Sequence, residues 1–150
     1  VYLWIRNEKY FLEYRNTILL VSYAALLTFL LYPAAPPWLA SLEGYTPQLH
    51  KIISEMDHQF FPKTFETIYF LVTSNKVAAI PSLHIAYPIL MFIFALEYWG
   101  KKALPIFLLP LGVGLSAVYL AEHYVIDLII GAIYAIFAYL TIKNWSGNNI

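Results

Sequence analysis

From Asn16 to Leu42 the chain carries no charged residue. In water so long an apolar stretch would expose hydrocarbon that a chain of this size cannot cover. A helix crossing a bilayer needs roughly 20 such residues. Pro33, Pro36 and Pro37 stop the helix near Tyr32, because proline cannot donate into the helical ladder and disfavours helix before it. Three stretches of the same character follow: from just after Pro81 to about Trp99, from Ala103 to about Leu120, and from about Tyr124 to Ile142. In the third span Pro105 falls in the first turn and Pro110 is expected to kink the helix. Composition agrees, since 61% of residues are hydrophobic and 12% charged, about half the charged share of an ordinary globular domain. The expected fold class is all-α, a polytopic membrane helical bundle of about four spanning helices forming one membrane-embedded domain over residues 1–150.

Between the first two spans lies a connection, Pro33 to Ile80, interrupted by Glu43, Lys51, Glu55, Asp57, Lys63, Glu66 and Lys76 and therefore not read as a span. Within it Leu49, Ile52, Ile53, Met56 and Phe60 fall on one helical face, while His50, Lys51, Ser54, Glu55, Asp57 and His58 fall on the other. That pattern suits a helix lying in the membrane interface. The run Ile68–Val72 is too short to cross. The apolar stub Val1–Ile5 reads as the end of an upstream helix, so the chain is expected to be truncated at its N-terminus. It lacks the basic leader and small-residue cleavage site of a signal peptide.

Nine Lys plus Arg balance nine Asp plus Glu, so no global field attracts nucleic acid. The absence of cysteine removes disulfides, thiolate metal sites and thiol nucleophiles together. If four helices alternate direction, Arg6, Lys9, Arg15, Lys101, Lys102 and Lys143 share one side, and Lys51, Lys63 and Lys76 the other. The positive-inside rule makes the first side cytoplasmic. The long connection then faces outward.

Ionisable groups at span ends are costly and mark chemistry. His84 begins the second span at its outer end, and the junction between the third and fourth spans returns His123 and Asp127 to that same face. If the fourth helix begins by Tyr124 or earlier, residues 123 and 127 project from one side of it. A carboxylate accepting the Nδ1 proton of His123 fixes its tautomer and leaves Nε2 as a nucleophilic lone pair. A second histidine opposite can protonate a leaving oxygen and later activate water or an alcohol. Such a double displacement suits phosphoryl transfer, which further needs donors around the equatorial oxygens. Ser82, the N–H groups opening the helix after Pro81, and Lys76 are candidates.

Pro81-Ser82-Leu83-His84, followed by Ser116-Ala117 and then by His123 and Asp127, resembles the second and third signature motifs of the type 2 phosphatidic acid phosphatase superfamily of membrane lipid phosphatases and phosphotransferases. The flanking text Tyr32-Pro-Ala-Ala-Pro-Pro-Trp-Leu39 and Tyr119-Leu-Ala-Glu-His-Tyr-Val-Ile-Asp-Leu128 is similar to the branch that includes inositol phosphorylceramide synthases and many prokaryotic members. The resemblance implies His123 as a nucleophile forming a phosphohistidine, Asp127 as its orienting partner and His84 as acid then base, in a family that needs no metal; Ser116, at the Ser of the third motif, is a candidate phosphate contact. Two departures stand out. Ala117 occupies the position where the third motif usually has Arg, and the first motif, a Lys and an Arg before a Pro, has no counterpart. Lys9 and Arg15 lack the following Pro and lie a whole span away. Lys76 is the expected substitute cation. The lost arginine suits a less highly charged phosphate, as in a diester.

Blander roles stand beside these. His50 and His58 suit a polar interfacial face, Asp127 can cap its helix or pair with Lys76, Glu122 suits a solvated helix start, and Ser116 can bond its own helix carbonyl. Two histidines and a carboxylate can instead hold Zn or Fe. Gly112, Gly114 and Gly131 permit close helix packing, and the Tyr and Trp residues form interfacial belts. The expected function is an integral enzyme of a prokaryotic cell membrane acting on a lipid phosphate among membrane lipids, its site facing outside. The alternative is a non-catalytic lipid-phosphate binding or transport subunit. A vanadium-dependent haloperoxidase, which shares a related fold, would need the missing cations.

Overall fold

The computed structural model describes residues 2–47 and 77–148. The amphipathic segment from Leu49 to Phe60, the Ile68–Val72 run and Lys51, Lys63 and Lys76 lie outside the described residues. A short helix α1 (Tyr2–Arg6) precedes Asn7, whose side chain caps α2 (Glu8–Leu31) by accepting the Tyr10 N–H at 3.1 Å. The long helix ends where Pro33 denies it a donor, with Tyr32 as its C-cap. After the proline cluster come α3 (Pro37–Leu42), α4 (Leu83–Trp99), a 3₁₀ segment (Gly100–Phe107), α5 (Leu108–Tyr119) and α6 (Val125–Asn148).

Among the described residues three stretches are long and apolar enough to cross a bilayer: Glu8–Leu31, Leu83–Tyr119 and Val125–Gly147. The second doubles back on itself. Its first helix ends at Gly100, whose φ of 61° an L side chain rarely adopts, and the following 3₁₀ segment and α5 pack against α4. Pro110 sits in the first turn of α5, where it offers no N–H to the carbonyls of the preceding 3₁₀ segment. The change of geometry comes earlier, at the step from 3₁₀ to α helix between Phe107 and Leu108.

The helices pack through narrow stripes. On α2 the buried residues are Tyr10, Glu13, Thr17, Val21 and Ala25, and on α6 they are Asp127, Gly131, Ala135 and Ala138, both at helical spacing. Val21, Ala86, Leu90, Ala135 and Ala138 form the central cluster. Large side chains point the other way, with Leu30, Leu31, Leu108, Leu115 and Phe137 all exposed. Small residues inside and bulky apolar ones outside are what helices need when lipid, not water, is the solvent, because close backbone approach supplies the attraction between them. Polar crosslinks add to it: Thr28 Oγ1 and Tyr134 OH are 2.7 Å apart, and Ser22 Oγ and Tyr87 OH 2.9 Å.

At the end of the bundle holding the start of α2 and the ends of α4 and α6, Lys143 joins three helices. Its Nζ is 2.5 Å from Glu13 Oε2 and 2.6 Å from Glu97 Oε1. Ser146 donates to Glu13, and Tyr10 and Tyr139 donate to Glu97. A charge this far inside an apolar bundle persists only when paired and hydrogen-bonded.

Candidate active site

The opposite end of the bundle is built by two capping structures. Helix α5 stops in a Schellman motif: the Glu122 N–H bonds back to Ala117 O at 3.0 Å and the Ala121 N–H to Val118 O at 3.0 Å, with Ala121 in the left-handed region at φ 57°. Glycine is the usual residue there, and an alanine costs about 1–2 kcal/mol. The Ala117 carbonyl also accepts the His123 N–H at 3.1 Å. Helix α6 then begins, with Asp127 reaching back from the first turn so that its Oδ2 accepts the Tyr124 N–H at 2.8 Å, half of a capping box.

His123 therefore precedes α6 and does not ride on one of its faces. The cap places it beside Asp127: His123 Nδ1 lies 3.4 Å from Asp127 Oδ2. His123 is 5% exposed and Asp127 0%, and among the described residues neither Nδ1 of His123 nor Oδ1 of Asp127 has a well-aligned hydrogen-bond partner. On the other side of the ring, His123 Nε2 is 2.9 Å from Nδ1 of His84, which is exposed in the first turn of α4. The three side chains thus run in series, His84 to His123 to Asp127, through opposite nitrogens of the central ring. A series of this kind cannot wrap a single metal ion, since Asp127 faces Nδ1 while His84 faces Nε2. Among the described residues no group of His, Cys, Asp and Glu is arranged to hold one.

The placement of Asp127 on the Nδ1 side of the ring suits the tautomer that carries its proton there and leaves the Nε2 lone pair facing Nδ1 of His84. Burial, and then the neighbouring His84, hold the His123 imidazole below its ordinary value; Asp127 and the carbonyl of Ala79 pull the other way. Neutral imidazole is the nucleophilic form.

Ser82 caps α4, is fully buried, and its Oγ has no hydrogen-bond partner among the described residues. Its N–H is not free for a ligand, because it donates to the carbonyl of Asp127 at 3.1 Å and so ties α4 to α6. That contact demands a glycine: a Cβ on Gly131 would sit 2.2 Å from Ser82 O and 2.7 Å from Ile85 Cγ2. A Cβ on Gly114 would meet Ile85 Cδ1 at 3.3 Å and Leu128 Cδ1 at 3.7 Å, whereas Gly112 has nothing within 4 Å and serves no helix contact here. Ser116 is exposed near the end of α5, and among the described residues no hydrogen bond joins it to the two histidines or to Asp127. Lys76 lies outside the described residues. Sequence reasoning did not single out Pro88, whose missing N–H leaves the His84 carbonyl without its helical donor. Its position four residues after His84 was a readable signal.

The PAP2 superfamily family model matches residues 1–141. The chain is also 29% identical, over 143 residues, to a phosphoinositol dihydroceramide synthase of Bacteroides thetaiotaomicron, a match covering 90% of this chain and 46% of the relative. The chain thus spans about half the length of that curated relative. No solved structure matches. With its helical fold and the two histidine motifs brought together at one end, the chain belongs to the PAP2 superfamily.

Proposed function

We propose that this protein is an integral membrane enzyme that transfers or hydrolyses a phosphate ester on a lipid, using His123 as the nucleophile. The observation that carries the reading is the series of His84, His123 and Asp127, spaced at 2.9 Å and 3.4 Å. In the first step the Nε2 lone pair of His123 forms an N–P bond as the P–O bond to the leaving alcohol breaks, and His84, entering as the imidazolium, protonates the departing oxygen. Asp127 stabilises the positive charge that develops on the phosphorylated ring. In the second step water or an acceptor alcohol gives its proton to His84, forms the new O–P bond and releases His123. No metal or cofactor takes part in this scheme.

The synthase relative favours an alcohol acceptor over water. We read the doubled-back stretch Leu83–Tyr119 as two crossings, giving four in all. The cations Arg6, Lys9, Arg15, Lys101, Lys102 and Lys143 then gather at the end remote from His123, which the positive-inside rule assigns to the cytoplasm. On that orientation the site faces outside the cell membrane. Ser82 Oγ and the α4 N-terminus are assigned to the phosphate oxygens, with Lys76 as the balancing cation and Ser116 at the rim.

His123→Ala in detergent should abolish turnover of a labelled lipid phosphodiester while the melting curve stays cooperative; retained turnover sinks the mechanism. During wild-type turnover, acid-labile and base-stable phosphate should appear on the protein. Products formed with and without a candidate lipid alcohol decide between transfer and hydrolysis.

A further inference from the structure

Residues 34–38 touch both histidine-bearing segments through the main chain. At one end Ala34 forms an isolated parallel bridge with Ala78: the Ala34 N–H donates to Val77 O at 2.9 Å and the Ala79 N–H to Ala34 O at 3.1 Å. Ala79 is buried, and the chain runs on from it to Ser82 and His84. At the other end the Trp38 N–H donates to the carbonyl of Ala121 at 3.1 Å, two residues before His123 and at the left-handed turn itself. Between the two ends Pro36 and Pro37 are buried and have fixed φ, so the segment has few conformations to lose and a nearly constant length.

We propose that Ala34–Trp38 is a positioning strap that holds the Ala121 turn and thereby sets the separation of His123 from His84. It rests on the reading of those histidines as the phosphoryl-transfer pair. A left-handed alanine persists only where its surroundings over-determine it, and the Trp38 donor supplies a restraint from outside the loop. The strap touches no reacting atom. It acts on His123 through the loop, and leaves the exposed His84 ring free to move.

The test compares Trp38→Pro, which deletes the N–H at the second residue of α3, within the first turn where proline is tolerated, with Trp38→Phe, which keeps the N–H and an aromatic ring. In W38P the turnover number should fall about 10²-fold, the cost of a misplacement near 1 Å, with KM changed by less than about threefold; W38F should stay within about threefold of wild type. The second readout is the titration of His123 by NMR of histidine-labelled protein in detergent, with His84 and Asp127 as the ionisable groups facing it. Loosening the loop hydrates the ring, so W38P should move its midpoint up toward the ordinary imidazole value, and W38F should not. Equal rates and equal titrations in the two variants overturn the strap. If W38P fails to fold, Ala121→Asn, which tolerates a left-handed backbone, and Ala121→Val, which does not, take its place: Val should raise the midpoint and Asn should not, and identical midpoints overturn the proposal. The titration is independent of turnover, so active His123→Ala protein would remove the phosphoryl-transfer reading while leaving the strap's hold on the ring to be measured.

Discussion

Nδ1 of His84 stands 2.9 Å from Nε2 of His123, with the two rings edge to face at 62°. The nitrogen proposed to attack phosphorus therefore faces a ring nitrogen of His84. A phosphoryl group in line needs about 3–3.5 Å on the nucleophile's side, and a leaving oxygen beyond it needs about 2.6–3.2 Å to its acid. The two nitrogens must thus separate to roughly 6 Å or more before the chemistry described above can occur. On the proposed mechanism His84 is the ring placed to give way, since it is exposed and Pro88 offers its carbonyl no helical N–H.

A non-reactive phosphodiester analogue should accordingly break the contact between the histidines. In histidine-labelled protein the His84 ring resonances should shift more than those of His123 on adding the analogue, and a spectrum in which only His123 responds would contradict the displacement. His84→Ala should lower the turnover number about 10²–10⁴-fold for an alkyl leaving group, whereas the first-step burst of nitrophenol from a nitrophenyl ester, which departs unprotonated, should fall much less.

The acid limb of kcat/KM should lie below the ordinary imidazole value of about 6.5, because His123 must be neutral to attack and its surroundings lower its affinity for a proton. The same shift couples to stability. The unfolded chain binds a proton at this position more readily than the fold does, so the contribution of His123 is fully present above about pH 6.5 and is lost as pH falls through the lower folded value. Melting temperatures measured from pH 8 down to pH 5 should decline at the acid end, and His123→Asn should flatten that decline.

Gly131→Ala should cost about 1–3 kcal/mol through overpacking against Ser82 and Ile85, and should slow turnover because the Ser82 N–H to Asp127 contact must open to make room. Gly112→Ala, with open space around it, should be neutral or stabilise by up to about 1 kcal/mol. Thermal melts of the two variants side by side decide the matter, and equal melting temperatures would argue against the close approach of α6 to the start of α4.

Removing Lys143 should be expensive, and its neighbours decide by how much. Lys143→Ala takes from the nearly buried Glu13 its ion-pair partner and leaves only the more distant Lys9, whereas Glu97 keeps about a third of its side chain exposed and can turn to solvent. A loss of about 2–3 kcal/mol is expected, somewhat under the cost of breaking a fully buried pair. Combining Lys143→Met with Glu13→Gln should recover much of it, as a double-mutant cycle would register.

The apolar spans were legible because hydropathy and proline placement are local properties, and the end of α2 at Leu31 follows directly from Pro33. The approach of His84, His123 and Asp127 was legible too, since alternating helices return both motifs to one end. Sequence spacing nevertheless suggested that His123 and Asp127 share a helix face. Their actual contact depends on a left-handed alanine, and nothing in the sequence distinguishes Ala121 from a helical alanine. The Glu13, Glu97 and Lys143 cluster was equally hidden, because it is assembled from three helices, and Lys143 read as an orienting cation when taken alone.

Helix α6 carries Asp127 at one end and Lys143 at the other, sixteen residues apart, or about 24 Å at 1.5 Å per residue. A hydrocarbon layer is about 30 Å thick. Asp127 is fully buried and Lys143 is paired with Glu13 and Glu97, so the outer face of α6 stays apolar while the two polar clusters inside the bundle stand closer together than that layer is thick. On the proposed function the phosphate of a lipid would be met below the head-group level, and reconstitution across a series of acyl-chain lengths should place the optimum of turnover in thinner bilayers.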